Sequence, residues 1–257
     1  MRQRQSIGVL MLGLALVWSG AVRAQEVAPP ENYRLRLEYD QWAPTLNATL
    51  QIGGEGSEVD VKSDLGLEDK KLRPISGALQ LSRGVKLRGS YTSLDYRGDR
   101  KVSRDFTFEG TSYQVSERVV SSLKGKYYTA DLELDIIKTT SGFIGLMVGA
   151  QVFDVQATLD VPAVGKHEET SQQLPIPVIG AAGRLYFGRL SVGGEISGLS
   201  IGKRGHVYEA AGGAGLHISD RLAIRGGYRS VRLHGEKEPD LIDFKMEGWT
   251  FGVELSL

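Results

Sequence analysis

The chain has 257 residues, 31 basic and 31 acidic, and no cysteine. Balanced charge leaves no electrostatic footprint for nucleic acid as a partner. The absence of cysteine excludes disulfides, thiol chemistry and a lipid anchor on a cysteine.

Residues 1–24 read as a signal peptide. Arg2 and Arg4 precede an apolar run, Ile7 to Val17, and Val22-Arg23-Ala24 is a small-residue cleavage site. The run is well short of the ~20 residues that a spanning helix needs. Removing Arg2, Arg4 and Arg23 from the 31 basic residues leaves 28 against 31 acidic. Residues 25–32, with Pro29-Pro30, read as a flexible lead-in, and 33–257 as one domain.

From there apolar and polar residues alternate, the period-two signature of strands with one apolar face. The first strand sets Tyr33, Leu35, Leu37 and Tyr39 against Arg34, Arg36, Glu38 and Asp40, with a continuation past Pro44 through Leu46, Ala48, Leu50 and Ile52. A Gly- and acid-rich connection, 53–71, follows. The second strand carries Ile75 to Leu81, and the third runs from Val85 to Tyr91. Residues 97–126 read as the longest connection, with a projecting hairpin in which Phe106, Phe108, Tyr113 and Val115 flank Glu109-Gly110-Thr111. The fourth strand covers 128–136, and the fifth, 143–159, is apolar on both faces.

A polar loop, 160–173, leads to the sixth strand, 174–187, where Pro175 and Pro177 sit at the start. Four more strands follow at 190–201, 206–218, 222–233 and 244–257. Short connections (82–84, 138–142, 187–189, 219–221) largely take turns with longer ones. Tyr33, Tyr39, Trp42, Tyr91, Tyr186, Phe187, Tyr208, Tyr228 and Trp249 lie toward strand ends, where interfacial girdles sit. Strands that span lipid must close, because every backbone group there needs a partner. The expected fold is all-β: a closed antiparallel up-and-down transmembrane β-barrel of about ten strands, with eight as the alternative. A soluble sandwich alternates in the same way, and export with alternating turn lengths favours the barrel.

On this architecture, and on the alternating last strand, 33–257 resembles the small Gram-negative outer-membrane barrels, the OmpA- and OmpW-like group. Asp64-Leu65-Gly66-Leu67, Phe108-Glu109-Gly110 and Val120-Ser121-Ser122-Leu123 resemble features of an uncharacterised barrel family. The resemblance implies the bacterial outer membrane as location, its lipid and lipopolysaccharide as surroundings, the barrel-assembly machinery as a partner in biogenesis, and a monomer. The group's assembly signal usually ends on an aromatic residue, whereas this chain ends on Leu257.

With the apolar face outward, the other face lines a lumen. That places Arg34, Arg36, Glu38 and Asp40 of the first strand inside, with Lys86 and Arg88 of the third and Asp131, Glu133 and Asp135 of the fourth. Arg184, Glu195, Arg225, Arg229 and Glu254 complete the set. Lys86 and Arg88 are expected to face the three acids, and Arg225 and Arg229 to meet Glu254, which closes against Arg34 and Arg36. A ten-stranded lumen is nearly filled by such side chains, so a salt-bridged plug is the favoured reading and a narrow conduit the alternative.

No catalytic, cofactor or metal residues are assigned. His217-Ile218-Ser219 has the His-x-Ser spacing of lipid A deacylase barrels, but its turn falls on the periplasmic side, away from the outer leaflet. The Asp-x-His of the barrel proteases does not occur. Adjacent His167, Glu168 and Glu169 cannot converge on one ion. Gly212 to Gly215, with no helix behind it to bind phosphate, reads as a site of tight strand packing. The expected function is structural or interactive, through the connections 53–71, 97–126, 160–173 and 234–243. The alternatives are a narrow channel for ions or small solutes and, more remotely, a lipid-modifying barrel enzyme.

Overall fold

The computed structural model describes residues 31–51, 57–108, 111–200, 202, 205–237 and 240–257, with the backbone alone at 236, 237 and 240. The signal peptide and most of the lead-in lie outside the described residues.

Thirteen strands follow in chain order: β1 (Leu35–Gln51), β2 (Val59–Asp60), β3 (Ile75–Ser82), β4 (Val85–Lys101), β5 (Phe106–Phe108), β6 (Thr111–Tyr113), β7 (Arg118–Thr139), β8 (Gly142–Val161), β9 (Lys166–Phe187), β10 (Leu190–Ser200), β11 (Gly205–His217), β12 (Leu222–Lys237) and β13 (Asp240–Ser256). Ten of them, all but β2, β5 and β6, pair with their neighbours in antiparallel order. The wall closes where β1 pairs with β13, from Arg36 opposite Ser256 to Gln51 opposite Leu241. The barrel therefore has ten strands, not eight. The tight turns, β1's start and β13's end share one rim, where Arg34 N–H donates to the Leu257 carbonyl at 2.6 Å.

The strands are longer than the alternation suggested. Both β7 and β9 have 22 residues, about twice the 9–11 that cross a bilayer. Half of such a strand must stand outside, and the side chains show which half. On β13 the outward residues Trp249, Phe251, Val253 and Leu255 are exposed, Trp249 at 72% and Phe251 at 65%. Further along the same outward face come Asp243, Lys245 and Glu247. Inward, Glu254 gives way to Met246 and Phe244. On β1 outward Leu37 and Tyr39 give way to Gln41, Thr45 and Asn47, while inward Arg36, Glu38 and Asp40 give way to Trp42, Leu46 and Ala48. The strand never changes face. The polarity of its two faces reverses.

The reversal falls at a belt of outward aromatics, Tyr39, Tyr91, Tyr128, Tyr208, Tyr228 and Trp249, on β1, β4, β7 and β11 to β13. Tyr91 packs on Tyr128 at 5.3 Å between ring centroids, and Tyr228 meets Trp249 edge-on at 5.5 Å. Tyr33, Trp42 and Tyr186, expected in a girdle, are instead buried in the interior. Trp42 and Tyr186 share the inward face with Arg36 and Arg184, and Tyr33 folds over the Arg36 guanidinium at 4.0 Å.

Beyond the girdle the interior is a hydrophobic core contributed by every barrel strand except β3 and β10, with Leu199 of β10 packed against it. The β3 strand has only eight residues, so the wall above it would gape between β1 and β4. Residues 57–72 fill that gap. Trp42 and Leu72 exchange backbone hydrogen bonds at 2.9 and 2.7 Å, and Leu46 N–H donates to Asp69 Oδ1 at 2.8 Å. Pro44 falls between them, on the side where the ladder needs no donor. On the other flank Lys70 pairs with Asp95, and Ser121 donates to the Leu65 carbonyl at 2.8 Å. Gly98 admits this segment: a Cβ there would overlap the Leu65 carbonyl. Of the connection expected at 53–71 as an exposed loop, the described part, 57–71, thus contributes to wall and core, with Val59, Val61, Leu65 and Leu67 buried. The expected hairpin is β5 and β6, whose Glu109-Gly110 turn lies outside the described residues. Its Phe106, Phe108 and Tyr113 point into the core rather than projecting away.

Candidate functional site

The lumen below the girdle holds a continuous ion-pair network. Lys86, 1% exposed, lies 2.8 Å from Glu133, 2.9 Å from Asp135 and 3.3 Å from Glu31, with its ammonium 3.4 Å from the centre of the Phe143 ring. The Arg88 guanidinium donates to Glu133 at 2.9 Å and also to Glu195. Arg36 bridges Glu31 at 3.0 Å and Glu254 at 3.3 Å, and Arg184 donates to Glu254 at 2.8 Å. Arg225 pairs with Glu38 and lies 3.4 Å from Asp40 and 3.9 Å from Glu254. Opposite charges alternate because neighbouring strands put unlike residues at the same height, as with Lys86 opposite Glu133. Buried charges of this kind persist only when each is paired.

Four placements differ from the sequence expectation. Arg34 precedes β1 and is exposed at the rim, so it is not part of the network. Asp131 faces the lumen opposite Arg88, but that guanidinium is drawn to Glu133 and Glu195. Arg229 meets Glu209 at 2.7 Å rather than Glu254. Glu209 also accepts from the Tyr127 hydroxyl, and Arg229 lies 5.0 Å from the Trp42 ring centre, so this cluster seals the charged half from the apolar half. Glu31, read as lead-in, is 6% exposed. It accepts from Arg36 and Tyr186 inside the rim that carries the tight turns. Glu209 lay on the polar face of an alternating strand and was legible. Glu31 follows Pro29-Pro30 with no periodic pattern to mark it.

In the charged half lies a cavity of about 180 Å³, lined by acids such as Glu38, Asp131 and Glu195 and by cations such as Arg88, Arg225 and Arg229, with Gln151 among them. Its wall on β10 to β12 is glycine-rich. Gly213 and Gly227 face each other in register, and a Cβ on Gly213 would come within 2.5 Å of the Gly226 carbonyl. The glycines let the wall close tightly, as the sequence suggested.

The His-x-Ser pair is not formed. His217 Nε2 lies 3.2 Å from Ser191 Oγ inside the barrel, whereas Ser219 Oγ accepts from the Arg221 and Leu222 amides in the turn. His167, expected in a loop, sits on β9 with Asp160 at 2.5 Å. Strand alternation sends Glu168 inward to Thr111 and Glu169 to Gln156. Among the described residues no group of three or more His, Asp or Glu side chains is placed to hold a metal.

A second clamp ties the upper wall together. Arg104 grips Asp64 with two hydrogen bonds, 3.1 and 2.6 Å, and the Asp60 amide donates to Asp64 at 2.9 Å. Burial raises the Asp64 pKa, but the guanidinium and the amide outweigh it, holding the carboxyl below its ordinary 3.8. A depressed carboxylate stabilises the fold above its unfolded-state pKa, and that contribution is lost as pH falls through the folded value. Hydrogen exchange in 57–67 is therefore expected to rise below about pH 4 while the strands below the girdle stay protected. In Arg104→Met the same segment is expected to exchange faster already at neutral pH.

An apolar outward band, an aromatic rim and a charged interior define an outer-membrane-type transmembrane β-barrel. No family model matches the sequence, and no curated protein does. In fold the chain is similar to the outer-membrane protease OmpT of Escherichia coli, with TM-score 0.59 and 10% identity over 89% of this chain and 97% of that one. Two further barrels match less closely. The translocator domain of NalP from Neisseria meningitidis has TM-score 0.43 and 11% identity, covering 91% and 94% of the two chains. Neisserial surface protein A has TM-score 0.37 and 12% identity, covering 87% and 97%.

Proposed function

We propose that this chain is a monomeric, closed outer-membrane barrel whose function is to hold a folded, water-facing body above the outer leaflet. That body would serve as an interaction surface. The observation that supports this reading is the polarity reversal at the girdle, because it makes the upper half a structure with its own core. The contact surface is then the strand walls, with Asp95, Arg97 and Asp99 on β4 and Lys124 and Lys126 on β7, more than mobile loops. Lipopolysaccharide surrounds the girdle, and the barrel-assembly machinery inserts the chain. The reading is non-enzymatic: the two His–Asp pairs, His167–Asp160 and His234–Asp243, lie on outward faces of their strands, apart from the polar groups of the lumen.

The channel reading is disfavoured by the two seals, Trp42 with Tyr127 above and Glu31 below. The protein is expected to be silent in planar bilayers, and steady conductance would overturn the closed lumen. The sidedness has its own test, since the natural chain has no cysteine. Single cysteines at Thr45 and Arg97 are expected to react with an impermeant maleimide on intact cells. One at Arg83 is expected to react only after the cells are broken. Equal labelling at all three would refute the orientation.

A further inference from the structure

The lumen cavity contains one carboxylate that the network leaves out. Among the described residues, Asp131 is the lumen acid without an ion pair or hydrogen bond, because Arg88 opposite it is held by Glu133 and Glu195. Its carboxylate lies over Gly149, where a Cβ would collide with Oδ1, so glycine leaves the room it occupies. Beside it, one diagonal step along β8, stands Gln151, 1% exposed. The Gln151 amide nitrogen is fixed by Ser197 at 3.1 Å and Glu209 at 3.3 Å, which orients the amide. Its oxygen is buried with no partner.

An unpaired carboxylate and an unsatisfied amide oxygen inside the barrel are costly unless a donor of opposite charge completes them. Both groups only accept, so the complement is a cation with several N–H donors. A bare metal ion is a poor fit, because among the described residues no three His, Asp or Glu side chains converge there. We propose that the cavity binds a small organic cation carrying a primary ammonium, held between the Asp131 carboxylate and Gln151 Oε1. The volume of about 180 Å³ admits a short alkyl amine or diamine.

The test folds the full barrel from urea with putrescine present, removes the excess, and counts bound amine together with the melting temperature. The expected result is close to one amine retained per barrel and a rise in melting temperature. Neither 1,4-butanediol nor sodium chloride at equal ionic strength should reproduce it. The isosteric Asp131→Asn is expected to lower amine retention at least tenfold while keeping its heat-modifiable mobility in SDS. Thr129→Lys, which faces Gln151 across the β7–β8 pair, is expected to supply the ammonium internally. It should raise the melting temperature without putrescine and remove the response to it. Retention of no amine by the natural chain, an equal response to the diol or salt, or unchanged retention in Asp131→Asn would each overturn the site. A water-filled cavity is the meaning of the first of these outcomes.

Discussion

Replacing Lys86 by methionine is expected to destabilise the folded barrel by about 3–5 kcal/mol, the usual cost of removing one partner from a buried ion pair. The value belongs at the high end because one ammonium neutralises three carboxylates, Glu31, Glu133 and Asp135, whose side chains are at most 4% exposed. Methionine keeps the length and the packing on Phe143, so the loss reports charge rather than a cavity. Urea unfolding in detergent measures it through the midpoint at constant slope. Lys86→Met combined with Glu133→Gln and Asp135→Asn should recover part of the loss, since fewer acids are then left unpaired. Arg34→Met, at an exposed rim position, should stay within about 0.5 kcal/mol of the natural chain. A loss under 1 kcal/mol for Lys86→Met would mean that water reaches this end of the lumen and that the Glu31 seal is open.

Both charges tested there were placed by alternation alone, and only one is in the network. The fold class and its strand order were legible because a period of two survives from one end of the chain to the other. What alternation hid was height along the barrel. The third strand was expected to stop at Tyr91 and the fourth to start at Tyr128, yet those two residues pair in the middle of β4 and β7. They sit at the girdle, where the apolar residues change faces. A reading that equates one face with apolarity takes that phase change for the end of a strand. The apolar residues on both faces of the fifth strand carried the missing signal, since Ile144, Leu146 and Val148 face outward and Phe153, Ala157 and Leu159 face the core. Residues 57–72 were unreadable for another reason. They fill a gap left by the shortness of β3, and no local pattern encodes a neighbour's length. Asp131 was placed on the right face, but its lack of a partner depends on where Arg88 turns, which register alone does not fix.

The reversal at the girdle makes a second large prediction, in which one substitution has three different outcomes by position. Arginine in place of Phe251, outward and below the girdle, should cost about 2–4 kcal/mol, the depth-dependent penalty for a cation on the lipid face. Thr45→Arg is also outward but above the girdle, and should fall within about 0.5 kcal/mol of zero, as for a surface site in water. Leu46→Arg, one residue further on, turns the cation into the core, where Leu46 is 0% exposed. That change should exceed about 4 kcal/mol, because the burial of an unpaired charge adds to the loss of packing. Folding into lipid vesicles across a urea series gives all three on one scale. A uniformly lipid-embedded barrel would penalise Thr45→Arg as heavily as Phe251→Arg. A soluble barrel would tolerate both outward changes. Only a barrel that leaves the membrane at its aromatic rim penalises Phe251→Arg while tolerating Thr45→Arg, with Leu46→Arg, one residue away, the most costly of the three.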